Sequence, residues 1–149
     1  MAERPAGTPT WSSTIAGHPC YRRDKDLVIP SFKAVTHYSR GPLLGAPPLR
    51  RDILVFFRGD VGKHRAPNYS RGVRQKLAAL AKAKSWKEKY NVSIGGGGDV
   101  PGDYTNLLSS SVFCLVLPGD GFSARAADAI LHGCLPVVIQ VSAAPGLRG

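Results

Sequence analysis

The chain has 149 residues, of which 43% are hydrophobic and 20% are charged, and 20 Lys and Arg against 10 Asp and Glu give a net charge of +10. A single domain of this length buries roughly 70% of its unfolded surface, and the composition excludes disordered and fibrous proteins. The positive charge favours an anionic partner, which could be nucleic acid, a membrane surface, an acidic polysaccharide or a nucleotide diphosphate.

The start of the chain predicts little regular structure. Residues 1–25 are rich in Pro, Gly, Thr and Ser, which predicts an irregular lead-in. The chain holds no apolar run long enough for a secretion signal or a bilayer span, so we expect it to be soluble as written. Residues 27–29 predict a first short strand that stops at Pro30.

The next segment predicts a strand followed by a helix. Residues 53–57 are a continuous run of β-branched and aromatic side chains, which is typical of a strand covered on both faces. Ser70 is placed to cap an amphipathic helix that begins near Arg71. The apolar stripe expected for this helix is Val73, Leu77, Leu80 and Ala81, and its expected surface residues are Arg74, Gln75, Lys82 and Lys84.

The pattern of alternating elements continues toward residue 117. Residues 91–94 predict a third strand, and the glycines at 95–98 are expected to form a flexible linker because no Gly-Lys-Ser or Gly-Lys-Thr follows them. Asp103 is placed to cap a short helix, and residues 113–117 predict a fourth strand.

A last helix and strand complete the predicted fold. Ser123 is expected to cap a helix that ends at a left-handed Gly133, and residues 136–139 predict a fifth strand. The apolar stripe expected for this helix is Ala124, Ala127, Ile130 and Leu131. Strands alternating with helices predict an α/β fold, a Rossmann-like parallel sheet with flanking helices. Because residues 142–149 carry no further element, we expect the last strand to lack a covering helix and the chain to be truncated.

The cysteines and histidines do not predict a metal site. Cys114 and Cys134 lie in apolar segments, and since the count of three with Cys20 is odd, they are expected to be buried free thiols. The four histidines lack metal-ligand spacing. His132 lies near a helix end, where an interaction with the helix dipole is favoured over a role as a base.

Two loops lie where an open α/β sheet binds ligands, beyond the carboxyl ends of its strands. They are residues 57–60 and, as the stronger candidate, residues 118–123. Gly119 and Gly121 let backbone N–H groups approach a ligand, and the helix after Ser123 turns its positive end toward this loop. A diphosphate would fit there.

Charged side chains near these loops could complete an anion site. Arg125, Asp128 and His132 share one helix face, so that Asp128 could bind ribose hydroxyls while Arg125 neutralises phosphate; the alternative is a solvated surface pair. Arg58 follows a buried strand and would meet either an anion or water. For Arg74 and its neighbour Arg71, in a first helical turn, the alternatives are an anion and a solvated face.

The order of these segments resembles the exostosin-like glycosyltransferases, in their plant and algal form. The resemblance covers about residues 24–140 and rests on segments 26–30, 56–59, 69–74, 104–108, 111–130 and 133–139. It implies the C-terminal, donor-binding half of a GT-B enzyme, in which two Rossmann-like domains face each other. Residues 1–25 would then be a lead-in, 26–140 the nucleotide-sugar-binding domain and 141–149 an irregular tail.

The resemblance also implies a reaction and a site. Such enzymes transfer a sugar with inversion from a nucleotide sugar, usually a uridine diphosphate (UDP) sugar, to a polysaccharide or glycoprotein glycan at the Golgi membrane, with no tightly bound cofactor or essential metal. The implied nucleotide-sugar-binding residues are Arg58, Arg74, Gly119, Asp120, Gly121, Ser123, Arg125 and Asp128. The acceptor-binding domain and the membrane anchor would lie outside this chain, and no catalytic base is assigned.

Two features depart from the family or favour another function. Relatives commonly carry an acidic residue where this sequence has Gln140 and Ser142, which suggests that the match ends near residue 140. The alternatives to an enzyme are a basic nucleic-acid-binding module and a fragment that binds an anionic glycan. Nucleic acid is not expected, because the aromatic residues lie mainly in predicted strands rather than among surface Lys and Arg.

Overall fold

The computed structural model describes residues 41–119 and 123–140. Its strands are β1 (Ile53–Arg58), β2 (Val92–Gly95), β3 (Ser111–Val116) and β4 (Leu135–Val138), and its α-helices are α1 (Val73–Ala83), α2 (Trp86–Tyr90), α3 (Tyr104–Ser109) and α4 (Arg125–Leu131). Short 3-10 segments at Pro42–Leu44 and Tyr69–Gly72 precede β1 and α1. The four described strands form one parallel sheet in the order β2-β1-β3-β4. The predicted α/β fold with a Rossmann-like parallel sheet is confirmed, while the strand predicted at 27–29 lies outside the described residues.

Helices cover both faces of this sheet because successive strand residues point to opposite sides. On one face, Phe57 and Leu115 pack with Leu77 of α1. On the other face, Phe56 packs with Leu108 of α3 and with the α4 helix. The central strand β1 is therefore covered on both sides, as its continuous apolar run predicts.

The α4 helix faces the sheet differently from the prediction. Ala129 is fully buried, whereas Ile130 of the predicted apolar stripe is 53% exposed. Asp128 and His132, predicted on the face opposite that stripe, are buried as well. In an alanine-rich helix of seven residues the apolar pattern is too weak to define the buried face. The burial of Asp128 also excludes the alternative of a solvated Arg125–Asp128 pair.

The end of α4 confirms the prediction for Gly133, which has a φ of 68°. Its N–H donates to the Ile130 carbonyl at 2.9 Å, and the Cys134 N–H donates to the Ala129 carbonyl at 2.8 Å. These two bonds form a Schellman motif, in which the left-handed residue turns the chain back along the helix. The turn brings Cys134 directly to the start of β4.

Cys114 and Cys134 form a disulfide, so the predicted free thiols are wrong. The prediction of burial is confirmed, since the two residues are 2% and 1% exposed. Cys114 lies in β3 opposite Pro136 of β4, which places Cys134 beside it with a Cα–Cα distance of 5.9 Å. The register between strands 20 residues apart brings the sulfurs together, and spacing along the chain does not reveal it.

The glycines at 95–98 form an ordered turn rather than the predicted flexible linker. The Gly96 N–H donates to a carboxylate oxygen of Asp99 at 2.9 Å, and the Asp99 N–H donates back to the Gly96 carbonyl at 3.1 Å. Gly95 ends β2, and a Cβ there would lie 2.6 Å from the Cβ of Asp99. The glycines therefore permit close packing of a turn that Asp99 closes.

Candidate functional site

Two arginines contact one aromatic ring at the carboxyl end of β1. The ring is that of Phe57, which is 1% exposed, and the guanidinium carbons of Arg74 and Arg125 lie 5.4 and 4.9 Å from its centroid. Each arrangement is a cation–π contact, which stabilises a guanidinium without neutralising its charge. We call Phe57, Arg74 and Arg125 the arginine cluster. It concentrates positive charge at the edge where parallel sheets bind ligands.

Arg74 is buried, 5% exposed, so the predicted surface position of this residue is wrong. Its guanidinium donates to the Tyr69 hydroxyl at 2.7 Å, to the Asp60 carbonyl at 3.2 Å and to the Leu117 carbonyl at 3.2 Å. These oxygens compensate the cost of burying a positive charge. Arg74 thereby joins the loop after β1 to the end of β3.

Arg125 connects α4 to β1, and part of its guanidinium makes no hydrogen bond with the described residues. Its Nη1 donates to the Arg58 carbonyl at 2.6 Å, and its backbone N–H donates to the Ser123 hydroxyl at 3.4 Å. Its Nε is buried and has no hydrogen-bond partner among the described residues. Buried donors in folded proteins are almost always paired, so this one calls for an acceptor from outside the described structure.

The side chain of Arg58 lies away from the arginine cluster. Its guanidinium donates to the Gly102 carbonyl at 2.6 Å and lies 5.2 Å from the centroid of the Tyr104 ring. Strand alternation explains this placement, because Arg58 points to the face opposite Phe57. Arg58 contributes only its carbonyl oxygen to the cluster, and a contact between its side chain and a phosphate stays a prediction.

Of the remaining predicted site residues, Asp120 and Gly121 lie outside the described residues. Ser123 does not cap a helix that starts beside it, since α4 begins at Arg125 with Ala124 at its N-cap, although the Ser123 hydroxyl accepts the Arg125 N–H. Asp128 is 8% exposed. Its contact with ribose stays a prediction.

His132 caps the carboxyl end of α4. Its Nδ1 lies 2.7 Å from the Asp128 carbonyl, and since a carbonyl oxygen only accepts, Nδ1 carries the proton. This is in line with the predicted interaction between His132 and the helix end. Arg51 donates to the His132 carbonyl at 3.1 Å, which places a positive charge at the negative end of the helix.

Gly119 lies directly against Arg74, because a Cβ at Gly119 would be 2.7 Å from Nη2 of that side chain. Nη2 of Arg74 would have to move and lose its hydrogen bond to the Leu117 carbonyl, so we expect Gly119→Ala to lower the free energy of unfolding by about 1–3 kcal/mol. Urea denaturation measures the change. Gly98→Ala is a matched control, because a Cβ there would meet nothing within 4 Å. Equal losses in both variants would contradict the close approach of Gly119 to Arg74.

Asp60 organises the loop that follows β1. Its carboxylate accepts the Gly62 N–H at 2.8 Å and the Arg65 Nε–H at 2.9 Å. These two hydrogen bonds, the one from Gly62 first, hold the pKa of Asp60 below its ordinary value. The loop carries the Asp60 carbonyl that Arg74 binds, so the carboxylate supports the arginine cluster indirectly.

This lowered pKa predicts a pH dependence of stability. A carboxylate whose pKa is lower in the folded than in the unfolded chain stabilises the fold above its unfolded pKa, and the contribution disappears as pH falls through the folded pKa. We therefore expect Asp60→Asn to be less stable than the native chain at neutral pH and equally stable in strong acid. Urea titrations across the acid range test this. A constant difference at every pH would mean that the charge of Asp60 is not responsible.

Described residues form concavities beside the sheet. One of about 270 Å³ is lined by Gly59, Asp60, Val61, Lys63, His64, Asp99 and the glycines at 96–98, and by no member of the arginine cluster. A groove of about 460 Å³ follows α1 and β2. Neither is lined by Arg125 or Asp128, although Nη2 of Arg125 lies 3.0 Å from where a Cβ of Gly59 would be. Gly59 therefore links the arginine cluster to the smaller concavity.

Sequence reasoning missed the hydroxyl of Tyr69. It placed Phe57 and Gly59 in the candidate loop 57–60 but assigned no role to the ring of Phe57 or the backbone of Gly59. Side-chain alternation along β1 could have indicated Phe57, because it places the Phe57 and Phe56 side chains on opposite faces of the sheet, with Phe57 next to the carboxyl end of the strand. Among residues 41–119 and 123–140, no three His, Cys, Asp or Glu side chains are grouped as metal ligands would be. No helix in that part of the chain has the length and apolar character needed to cross a bilayer.

Comparison with known proteins identifies plant sugar transferases as relatives. The profile described as the Exostosin GT47 domain matches residues 12–145, which is wider than the 24–140 expected. A probable glucuronosyltransferase of Oryza sativa subsp. japonica is 30% identical over 127 residues, covering 82% of this chain and 28% of the relative. A probable xyloglucan galactosyltransferase of Arabidopsis thaliana is 34% identical over 92 residues, covering 59% of this chain and 17% of the relative. The chain thus spans less than a third of either relative, and no solved structure matches it significantly.

Proposed function

The chain belongs to the exostosin GT47 family, and we propose that it is the donor-binding part of a glycosyltransferase. The donor would be a nucleoside diphosphate sugar with UDP as its nucleotide part, and its phosphates would bind at the arginine cluster. Both plant relatives are named as sugar transferases, which supports the reaction class.

The observation that carries this proposal is the buried Nε of Arg125, which has no partner among the described residues. In a guanidinium, Nε–H and one Nη2–H point the same way and match two oxygens of a phosphate. The Nη1 of Arg125 is fixed on the Arg58 carbonyl at 2.6 Å, so the remaining edge is held in one orientation. Such a preorganised donor pair favours an anion with two oxygens on one centre.

The proposed step is an inverting transfer. The acceptor hydroxyl oxygen forms a bond to the anomeric carbon from the face opposite the diphosphate, and the bond from that carbon to the phosphate oxygen breaks. The electron pair of that bond leaves with UDP, and the acceptor proton passes to a base that we do not assign. Arg125 stabilises the charge that develops on the departing diphosphate. Arg74 donates to three protein oxygens. These bonds favour a role in positioning the loops of the site, in addition to any contact with phosphate.

The disulfide supports a proposal about the compartment. Disulfides persist in the oxidising lumen of the secretory pathway and are rare where thiols are kept reduced. Cys114 and Cys134 are joined in the structure, so a chain that works in this state fits an oxidising lumen. We therefore propose that the protein acts on the lumenal side of the Golgi.

Calorimetric titration of the full chain with UDP tests the proposed function. We expect saturable heat with a dissociation constant between about 1 μM and 1 mM, the usual range for enzyme substrates. Uridine, which lacks phosphates, is the control ligand. It should bind far more weakly than UDP because the arginine cluster is proposed to bind the phosphates. No heat with UDP, or equal affinity for uridine, would contradict the donor site.

A further inference from the structure

Two short segments of the chain match the acceptor signal for N-linked glycosylation. The signal is an asparagine, then any residue except proline, then a serine or threonine, and it is typical of exposed turns in secreted proteins. The chain has three asparagines, and two of them begin such a segment. Residues 68–70 are Asn-Tyr-Ser, and residues 91–93 are Asn-Val-Ser. Each segment is therefore a candidate site of modification.

Asn91 lies in the turn between α2 and β2, where its backbone is fixed and the residue is exposed. Its N–H donates to the Lys87 carbonyl at 3.0 Å, and its carbonyl accepts the Leu54 N–H at 3.0 Å. Its φ of 56° is left-handed, a region that asparagine enters more readily than most residues. Because the turn is held by backbone groups, a large substituent on the side-chain nitrogen can extend into solvent without disturbing it.

An exposed aromatic ring precedes Asn91 in the chain. Tyr90 is 59% exposed, so its ring is open to contact with a neighbouring group. The C–H groups of a sugar ring carry partial positive charge and pack favourably against the electron-rich face of an aromatic ring. Tyr90 therefore offers a surface on which the first sugar of a glycan at Asn91 can pack.

Asn91 lies at the end of the sheet opposite the arginine cluster. The strands β1 and β2 are parallel, with Val55 beside Val92, so the residue that precedes β2 lies at the amino ends of the strands. The arginine cluster lies at the carboxyl end of β1. A glycan on Asn91 would therefore leave the proposed donor site open.

The segment at residues 68–70 adjoins the arginine cluster instead. Asn68 is exposed, but Tyr69 and Ser70 are only 9% and 5% exposed. The Tyr69 hydroxyl accepts a hydrogen bond from the Arg74 guanidinium at 2.7 Å, and the Ser70 hydroxyl accepts the Arg74 N–H at 3.4 Å. A bulky glycan on Asn68 would stand next to the residues that we propose bind the donor. The fold thus favours Asn91 as the modified residue.

We propose that Asn91 carries an N-linked glycan. The donor is an oligosaccharide joined through a diphosphate to a membrane lipid, and the oligosaccharyltransferase of the cell catalyses the transfer. A bond forms between Nδ2 of Asn91 and the anomeric carbon of the first N-acetylglucosamine, and the bond from that carbon to the phosphate oxygen breaks. The lipid diphosphate leaves with the electron pair, and Nδ2 loses one proton. The modification depends on the lumenal location proposed above, because the signal is used in the secretory pathway.

Mass spectrometry of the full chain, secreted from a eukaryotic cell behind a cleavable signal peptide, tests the site. A peptide N-glycosidase in water enriched in heavy oxygen removes the glycan and converts its asparagine into a labelled aspartate. We expect the label at Asn91 and its complete loss in Asn91→Gln. Ser93→Ala should lose the label too, although it keeps the asparagine that ends α2, and Ser93→Thr should retain it.

Several results would overturn the proposal. Label at Asn68 alone would assign the glycan to the other segment, and a secreted chain without label would exclude glycosylation. Label that persists in Ser93→Ala would show that the acceptor signal is not responsible. The protein isolated from its source cells should carry the same label. Its absence there, with label on the secreted chain, would refute both the modification and the lumenal location.

UDP titration of the secreted chain separates the glycan from the donor site. The affinity for UDP should be the same before and after removal of the glycan, because Asn91 and the arginine cluster lie at opposite ends of the strands. A chain labelled at Asn91 that does not bind UDP would retain the glycan and refute the donor site. A chain that binds UDP but carries no label would do the reverse.

Discussion

A chain in which Cys114 and Cys134 are both replaced by alanine is expected to lose about 3 kcal/mol of unfolding free energy. The two cysteines are 20 residues apart, and closing a loop of that length lowers the entropy of the unfolded chain. Cys114 and Cys134 also lie in the core beside Phe56, so the alanines additionally remove buried sulfur from well-packed positions. Urea denaturation of the two proteins measures the loss.

A thiol count makes this test specific to the bond. Thiol titration in denaturant should find two more thiols after reduction than before it, because Cys114 and Cys134 are joined. Three thiols without reduction, or equal stability of the native chain with and without reductant, would contradict the disulfide.

The same bond bears on the proposed site. The loop that it closes contains Gly119, Ser123 and Arg125. With the bond intact, the two ends of this loop are fixed on β3 and at the start of β4. Reduction should therefore weaken UDP binding as well as stability, through a looser placement of Arg125.

The strands and most helices of this fold could be predicted from local sequence. Continuous apolar runs at residues 53–57 and 113–117 leave few alternatives to buried parallel strands, and Asp103 caps α3 as predicted, its carboxylate accepting the Asn106 N–H at 2.9 Å. Each of these signals is contained within a few consecutive residues. A local pattern is sufficient for them.

The start of α1 shows how local conformation limits such predictions. Ser70 and Arg71 adopt left-handed conformations, with φ of 53° and 51°, so the helix begins at Val73 rather than near Arg71. Only Gly72, with a φ of 73°, belongs to a residue type that accepts this region without strain. Nothing in the residue types at 70 and 71 signals the departure.

The burial of Arg74 required knowledge of the tertiary fold. An arginine on an amphipathic helix is normally assigned to the surface, since burying it unpaired is costly. Here the compensating oxygens come from Asp60, Tyr69 and Leu117, the last of them 43 residues away. Sequence spacing cannot show that these groups converge, so the residue was predicted as a candidate for the site but not as a buried one.

Arg125→Ala is expected to weaken UDP binding by about ten- to a hundredfold. The substitution removes the guanidinium edge that we propose binds phosphate, and a hydrogen bond to a charged group contributes about 1.5–3 kcal/mol. Arg125→Lys should fall between the native chain and the alanine variant, because lysine keeps the charge but lacks the paired donors. Calorimetric titration with UDP measures all three affinities.

A loss of folding has to be separated from a loss of contact, because Arg125 also binds the Arg58 carbonyl and the Phe57 ring. Thermal unfolding of each variant, followed by titration well below its midpoint, achieves this. Arg50→Ala is the matched control, since Arg50 is 90% exposed, pairs with Asp52 and precedes β1 at the opposite edge of the sheet. Its affinity for UDP should equal that of the native chain. If Arg125→Ala also bound UDP like the native chain while remaining folded, the buried Nε would have another explanation and the donor site would have to be placed elsewhere.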